Sequence, residues 1–211
     1  MEKLDLSKAY KAYYTATTKP TLVNIEAARF LSVLGKGDPS QPDYGTTLQA
    51  LYATAYALKF LYKAKQKDFI VAKLEGLWWF DETTNSRVSM AEAPQKIPRS
   101  EWQYRMLIRL PAFVAAEDIK NTAENVAYKK QIARAASVEL FEMEEGLCVQ
   151  MLHIGPFDKE PESLLQIQAF SEARQLQRNG LHHEIYLSDF NKTAPEKLKT
   201  ILREPVKKLI I

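Results

Sequence analysis

Cysteine is nearly absent: the 211 residues hold one, Cys148. That excludes an internal disulfide framework and a zinc site built on cysteine. Cys148 sits in the apolar stretch LCVQML and is expected to be buried and inert. Histidine is scarce too. His153, His182 and His183 give no metal-ligand spacing. Cys148 and His153, on one expected strand, would point to opposite faces and form no nucleophile–base pair. The seven glycines build no G-x-G-x-x-G and no phosphate loop. G-x-S-x-G and H-E-x-x-H are also missing. No cofactor is therefore expected. No apolar run approaches the ~20 residues that span a bilayer. The opening MEKLDLSKAYK mixes charges from its second residue, so no signal peptide is expected and the predicted location is cytoplasmic.

Charge of one sign is lacking as well. Lys and Arg number 29 against 26 Asp and Glu, a net of +3. The basic residues are densest at 59–67 and 197–208, where apolar residues interrupt them. These read as solvated faces, so direct nucleic-acid binding and membrane association are not expected. What is present is core material. Apolar residues make up 46% of the chain, enough for one domain or two small ones without staples.

Residues 1–19 are polar and tyrosine-rich and predict a short helix or a loosely held arm. Residues 20–34 read as one or two strands closing in the glycine turn at Gly35–Gly37. After the breaker cluster at 38–42, a helix is expected over 43–64. Leu48, Leu51, Tyr52, Ala55, Leu58 and Tyr62 form its apolar stripe. Strand composition returns at 68–80, and 81–87 reads as a polar turn. Residues 101–110 alternate, with Trp102, Tyr104, Met106, Ile108 and Leu110 on one side. A second helix is expected at 116–133. A hairpin of 137–144 with 147–154 would turn at Glu145-Gly146. A helix follows at 160–178, opened by Pro161 and stopped at Gly180, then a strand at 181–188 and a last strand or short helix at 198–211. The order predicts an α+β fold with two similar halves, about 20–115 and 135–211, behind an arm at 1–19. A glutamate begins both the EGLWW and EIYLS runs, a faint echo between the halves.

The informative pattern is aromatic rings beside carboxylates. In EGLWW, Glu75, Leu77 and Trp79 share one strand face and Trp78 shares the other with Phe80. A bulge at Gly76 would swap the two tryptophans. Glu184 and Tyr186 share a face of 181–188, and His183, Ile185 and Leu187 take the other. Such rings commonly pack a core. Two adjacent tryptophans on a strand, however, cannot both face one core. The alternative is a ring-walled pocket with a carboxylate at its base, suited to flat and cationic ligands.

The segments FLSVLGKGDPS (30–40), YGTTLQALYATAYALKF (44–60), FIVAKLEGLWWF (69–80), EWQYRMLIRLP (101–111) and HHEIYLSDFNKTAPEKLKTILREPV (182–206) resemble the GyrI-like small-molecule-binding family. That family also forms the drug-binding half of multidrug-responsive activators. The resemblance is closest to its stand-alone branch. It implies two βαββ units related by a pseudo-twofold, with a groove between them. It puts the pocket carboxylate at Glu184, the pocket indoles at Trp78 and Trp79, and a wall residue at Tyr52. It further implies planar aromatic ligands and, for some stand-alone members, hydrolysis of the strained ring of DNA-alkylating cyclopropanoid toxins. In that chemistry Glu184, made more basic by burial, or else Glu75, would take a proton from water. Tyr104 or Tyr52 would donate to the developing oxyanion. Trp102 and Tyr186 complete the expected ligand-binding set. A non-catalytic module that senses or sequesters drugs is the alternative, and a protein partner of DNA gyrase is a third reading. The first 19 residues are too short for a DNA-binding module, so a transcription-factor role is not expected.

Overall fold

Pro42 presets the helical φ of a first turn that also carries Asp43, and the chain from Pro42 to Ala64 forms the long helix α2. Its buried stripe is Ala50, Leu51, Thr54, Ala55, Leu58 and Tyr62. This stripe packs on a sheet, and the rest of the fold is built around that contact. The computed structural model describes residues 3–81, 83 and 88–209. The other helices are α1 (Leu6–Ala9), α3 (Ala93–Lys96), α4 (Ala116–Lys129) and α5 (Glu160–Glu172). The strands are β1 (Thr21–Ile25), β2 (Ala28–Lys36), β3 (Leu74–Trp79), β4 (Gln103–Arg109), β5 (Glu139–Met143), β6 (Gly146–Ile154), β7 (Leu176–Arg178), β8 (His182–Tyr186) and β9 (Lys199–Lys208).

All strand pairings are antiparallel, in the order β1-β6-β9-β8-β3-β4-β2-β5, with β7 added beside β9. The mixed α/β class expected from the element order is the class observed. Only Glu26 and Ala27 separate β1 from β2, yet the two strands belong to opposite ends of the sheet. Glu144 and Glu145 join β5 to β6 in the same way. Three Cα steps of 3.8 Å reach roughly 11 Å, so the sheet must curl until its ends nearly meet.

Several local expectations change. The hairpin at Glu145-Gly146 does not form: β5 pairs β2, and β6 pairs β1 and β9. Gly146 has the positive φ of a turn glycine (64°), but the turn sends the chain across the gap between sheet ends. The helix expected at 160–178 ends at Glu172, where Gln175 takes φ 55° and the chain re-enters the sheet as β7. Of the strand composition at 68–80, only 74–79 is strand, and Phe69 bridges to Leu4 instead. The register through Gly76 is continuous, so no bulge swaps the tryptophans. The final segment is strand β9. The polar turn at 81–87 lies mostly outside the described residues, as do residues 210 and 211.

The curled sheet buries both faces. One carries α2, α4 and α5 over Leu31, Leu74, Trp78, Tyr104, Met106, Met151 and Leu202. Residues Met90, Ala91, Ala93 and Ile97, from the β3–β4 connection, join this core. The other face holds Phe30, Leu77, Leu107, Ile185 and Ile201 and is covered by Tyr13 and Tyr14 of the N-terminal arm. Burying an aliphatic or aromatic side chain stabilises by about 1.5–3 kcal/mol, so each cluster anchors the sheet firmly.

Candidate functional site

Strands β3 and β8 meet at the middle of the sheet, with Gly76 opposite Glu184. Period-two alternation turns Trp78 of β3, and His182, Glu184 and Tyr186 of β8, toward the helices. Gly76 is required here for space: a Cβ would come within 2.8 Å of Trp78 Nε1 and 3.2 Å of the Tyr186 hydroxyl. Over that gap Trp78 Nε1 donates to Tyr186 Oη at 3.0 Å. Tyr186 in turn donates to Glu184 Oε2 at 2.5 Å. His182 Nε2 meets Glu184 Oε1 at 3.2 Å, and its Nδ1 meets Glu204 Oε1 at 2.6 Å.

With a carboxylate on each ring nitrogen, both nitrogens of His182 must donate. Burial opposes the charge, but Glu204 and Glu184 override it and push the pKa up to about 10, so the ring is an imidazolium at neutral pH. Burial and the charge of Glu184 hold Tyr186 far above the ordinary phenol range, which keeps it a donor. Glu160, the first residue of α5, is also buried. Burial first, and then the charge of Glu184, raise its pKa and favour the neutral acid. Two oxygens of this cluster, Glu160 Oε1 and Glu204 Oε2, are buried without a hydrogen-bond partner. Unpaired buried acceptors are rare and call for a reason.

Rings wall the cluster. Tyr44 stacks on Trp78 with centroids 6.1 Å apart and meets Tyr104 edge-on at 5.2 Å. Trp102 stands edge-on to Trp78 at 6.1 Å, its indole N–H on the Ile97 carbonyl. Tyr104 is fully buried and lies over Gly35, where a Cβ would fall 2.2 Å from its ring. A groove of about 820 Å³ runs between α2 and the β8–β9 connection, lined by Tyr44, Leu48, Tyr52, Tyr56, Tyr186 and Phe190 among others. Burial, with Tyr56 and Asp189 nearby, pushes the Tyr52 hydroxyl up to about 12. The Tyr44 hydroxyl has only the weak acceptor Met106 Sδ, at 3.7 Å. Glu184 remains 14% exposed at its side chain, within reach of water.

Glu75 and Trp79 lie on the opposite face. Glu75 is fully buried and takes hydrogen bonds from Tyr13 (2.5 Å), Tyr14 (3.2 Å) and His183 (3.0 Å). The other nitrogen of His183 meets Glu145 at 2.9 Å, and Arg203 Nη1 reaches the same carboxylate at 3.0 Å. Burial opposes ionisation of Glu145, but His183 and Arg203 prevail and hold its pKa at about 2. Trp79 lines a separate open hollow with Lys36, Gln103 and Leu181. Of the residues expected from sequence, Glu184, Tyr186 and Trp78 come together, with Trp102 and Tyr104 packed on Trp78 and Tyr52 in the groove. Tyr44, His182, Glu160 and Glu204 were missed. Period two already set His182 on the face of Glu184. Its second partner, Glu204, depends on the pairing of β8 with β9, which local sequence does not encode.

Among the described residues, no three or more His, Cys, Asp or Glu side chains are grouped to hold a metal ion. None of their helices is long and apolar enough to cross a membrane.

A curled antiparallel sheet with helices on one face, and a ring-lined groove there whose Tyr186 donates to the Glu184 carboxylate, define an α+β protein of the small-molecule-binding class. The family model of the GyrI-like small molecule binding domain matches residues 18–207, and the chain belongs to that family. It is similar over 97% of its length to the whole of an uncharacterized conserved protein from Listeria innocua, with 36% identity and a TM-score of 0.86. Two structures of a hydrolase from Listeria innocua are each 35% identical and matched over their full length. They cover 97% and 98% of this chain, with TM-scores of 0.81 and 0.83. No curated protein sequence matches the chain.

Proposed function

We propose that this protein is a hydrolase that adds water across the strained ring of planar, electrophilic cyclopropanoid compounds and so detoxifies them, with Glu184 as the base. The observation that carries this reading is the setting of Glu184. Its carboxylate is held by the Tyr186 hydroxyl and the His182 imidazolium and keeps 14% of its side chain exposed, and Tyr186 itself lines a groove walled by flat rings. The similarity to a hydrolase at 35% identity supports the same class of reaction.

In a cyclopropane conjugated to a dienone, the ring methylene is electrophilic. The oxygen of water bonds to that carbon as the ring C–C bond breaks, and the electron pair passes to the dienone oxygen. Glu184 takes the proton from water. The new phenolate oxygen collects one, so that one water is added in total. Tyr52 lines the groove and offers its hydroxyl to that oxygen. Trp78, Trp102 and Tyr104 stiffen the wall on which the flat substrate is held in register.

One observation favours the non-catalytic alternative, a drug-binding module. Both oxygens of Glu184 already hold a donor. That arrangement fixes a negative charge for a cationic ligand as well as it positions a base. Incubation with a duocarmycin-type cyclopropane compound, followed by mass spectrometry, separates the two. Gain of one water at substoichiometric protein, lost with binding retained in Glu184→Gln, is expected. Tight binding without a mass change would overturn the hydrolase reading in favour of the module.

A further inference from the structure

Glu160 is a buried acid that the proposed reaction does not use. It opens α5 and is 7% exposed. Three features place it beside the Glu184 cluster. Phe157, just before α5, meets the Tyr186 ring edge-on at 5.9 Å. The Thr200 hydroxyl lies next to the Glu160 carboxyl group, and the pairing of β8 with β9 sets Thr200 opposite Tyr186. The charges of Glu184 and His182 both act on Glu160.

Among the described residues Glu160 forms no ion pair, and its Oε1 is buried without a partner. Facing it are Glu184, His182 and Tyr186 on β8 and Thr200 on β9. Glu204 of β9 stands behind His182, and His153 of β6 lies beyond Thr200, bonded to Ser163. Asp158, Lys159 and Glu162 of its own stretch are exposed. A buried carboxylate so poor in donors is costlier than the neutral acid, so Glu160 holds its proton. Burial and the charge of Glu184 push its pKa in the same direction. Glu145, its side chain only 4% exposed, is ionised because His183 and Arg203 donate to it. Glu160 and Glu184 thus carry one proton and one negative charge between them. Tyr186 lines the groove and donates to Glu184 at 2.5 Å, so a charge that enters beside Tyr186 is one hydrogen bond from this pair. In a low-dielectric setting that charge is strongly felt.

We propose that Glu160 is the proton-exchanging partner of Glu184: the pair keeps its proton when a neutral ligand occupies the groove and releases it when a planar cation binds beside Tyr186. The O–H bond of the Glu160 carboxyl group breaks, the proton goes to solvent, and the second carboxylate balances the cation. The groove then has two charge states and accepts neutral and cationic ligands of one shape. The inference rests on ligands entering the groove and not on hydrolysis.

The test uses the full chain at about pH 8 and two flat probes, N-methylquinolinium and quinoline, the second uncharged at that pH. Titration calorimetry in two buffers of different ionisation enthalpy counts the protons released per ligand bound. Release of roughly half a proton or more is expected with N-methylquinolinium, and none with quinoline. Glu160→Gln should remove the release and weaken N-methylquinolinium about fivefold or more, with quinoline changed by less than twofold; thermal melts check that the variant folds. A second readout needs no variant. The infrared C=O stretch of a protonated carboxylic acid should be present in the free protein, decline as N-methylquinolinium binds, and be unaffected by quinoline. Four results would overturn the proposal: failure of the cation to bind, binding without proton release, release unchanged in Glu160→Gln, or an acid band that the cation leaves intact. Turnover enters none of these readouts, so a failure of the hydrolase reading leaves this result standing, and the reverse.

Discussion

His182 and His183 are neighbours on one strand, and each is bracketed by two carboxylates, yet the clusters they form are opposites. On the arm-covered face, His183 lies between Glu75 and Glu145. There Arg203 fills its fork with Glu145, Gln150 and the Tyr13 carbonyl, and Glu75 accepts three donors. Among the described residues, one buried nitrogen on this face is unpaired, Arg109 Nη1, and its guanidinium lies 3.9 and 4.5 Å from the ring centroids of Tyr10 and Tyr13. On the helix-covered face, His182 lies between Glu184 and Glu204, but one oxygen of Glu204 and one of the Glu160 carboxyl group have no hydrogen-bond partner, and Glu184 is 14% exposed at its side chain. Burial is similar, and saturation of hydrogen bonds is what differs. A closed network specifies a fold, whereas an open one retains capacity for a ligand.

Breaking the closed network should have the largest effect on stability. Arg203→Met leaves Glu145 buried with only His183, and removing one partner of a buried ionic pair costs about 3–5 kcal/mol. Urea unfolding should show that loss, whereas Glu184→Gln should change stability by about 1 kcal/mol or less. Equal losses in the two variants would erase the distinction between the faces.

Gly76→Ala attacks the open face from its floor. The added methyl would overlap Trp78 Nε1, and overpacking of this kind costs about 1–3 kcal/mol. The Trp78–Tyr186 hydrogen bond should be lost, with a shift in tryptophan fluorescence and weaker binding of planar ligands. Unchanged binding would mean that the Trp78–Tyr186–Glu184 chain does not order the groove.

Acid and alkali probe the two faces through their charges. The pKa of His182 is raised from near 6.5 to about 10, so its stabilising charge is fully present below pH 6.5 and is lost as the pH climbs toward 10. His183 is shifted in the same direction. Glu145 is depressed from 4.5 to about 2, so its contribution is complete above pH 4.5 and disappears as the pH falls toward 2. Denaturation midpoints against pH should therefore decline on both sides. His182→Gln should flatten the alkaline limb and Glu145→Gln the acid limb. If either variant leaves its limb unchanged, that group does not carry the charge assigned to it.

Much of this contrast could be read from the residues. Period two put Glu184 and Tyr186 on one face and parted Trp78 from Glu75 and Trp79, and the stripe of α2 was plain in its apolar spacing; which face of β3 joins Glu184 took the β3–β8 register. The shared glutamate of EGLWW and EIYLS misled, because Glu75 and Glu184 belong to opposite faces. What separates them is long-range. Glu75 is closed by Tyr13 and Tyr14, about sixty residues earlier. The failed hairpin has the same origin: Glu145-Gly146 has turn chemistry, but β5 and β6 gain more by pairing with strands at opposite ends of the sheet. Local propensity registers a turn and cannot register where its arms go.

The smallest effect concerns Cys148, which reports on the closed face without disturbing it. The thiol is buried beside the backbone carbonyls of Glu145 and Gly146. Burial, with the Glu145 charge next, pushes its pKa up to about 12, so thiolate is scarce at neutral pH. Reaction with a disulfide reagent should therefore be slow in the native protein and gated by opening of the arm-covered face. Arg203→Met should quicken it, because that variant lowers the free energy of opening, while Glu184→Gln and Glu204→Gln should leave the rate within about twofold, since they touch the other face. A fast reaction in the unaltered protein would show that the tyrosine arm does not seal its network, and the two histidine clusters would then differ in chemistry without differing in closure.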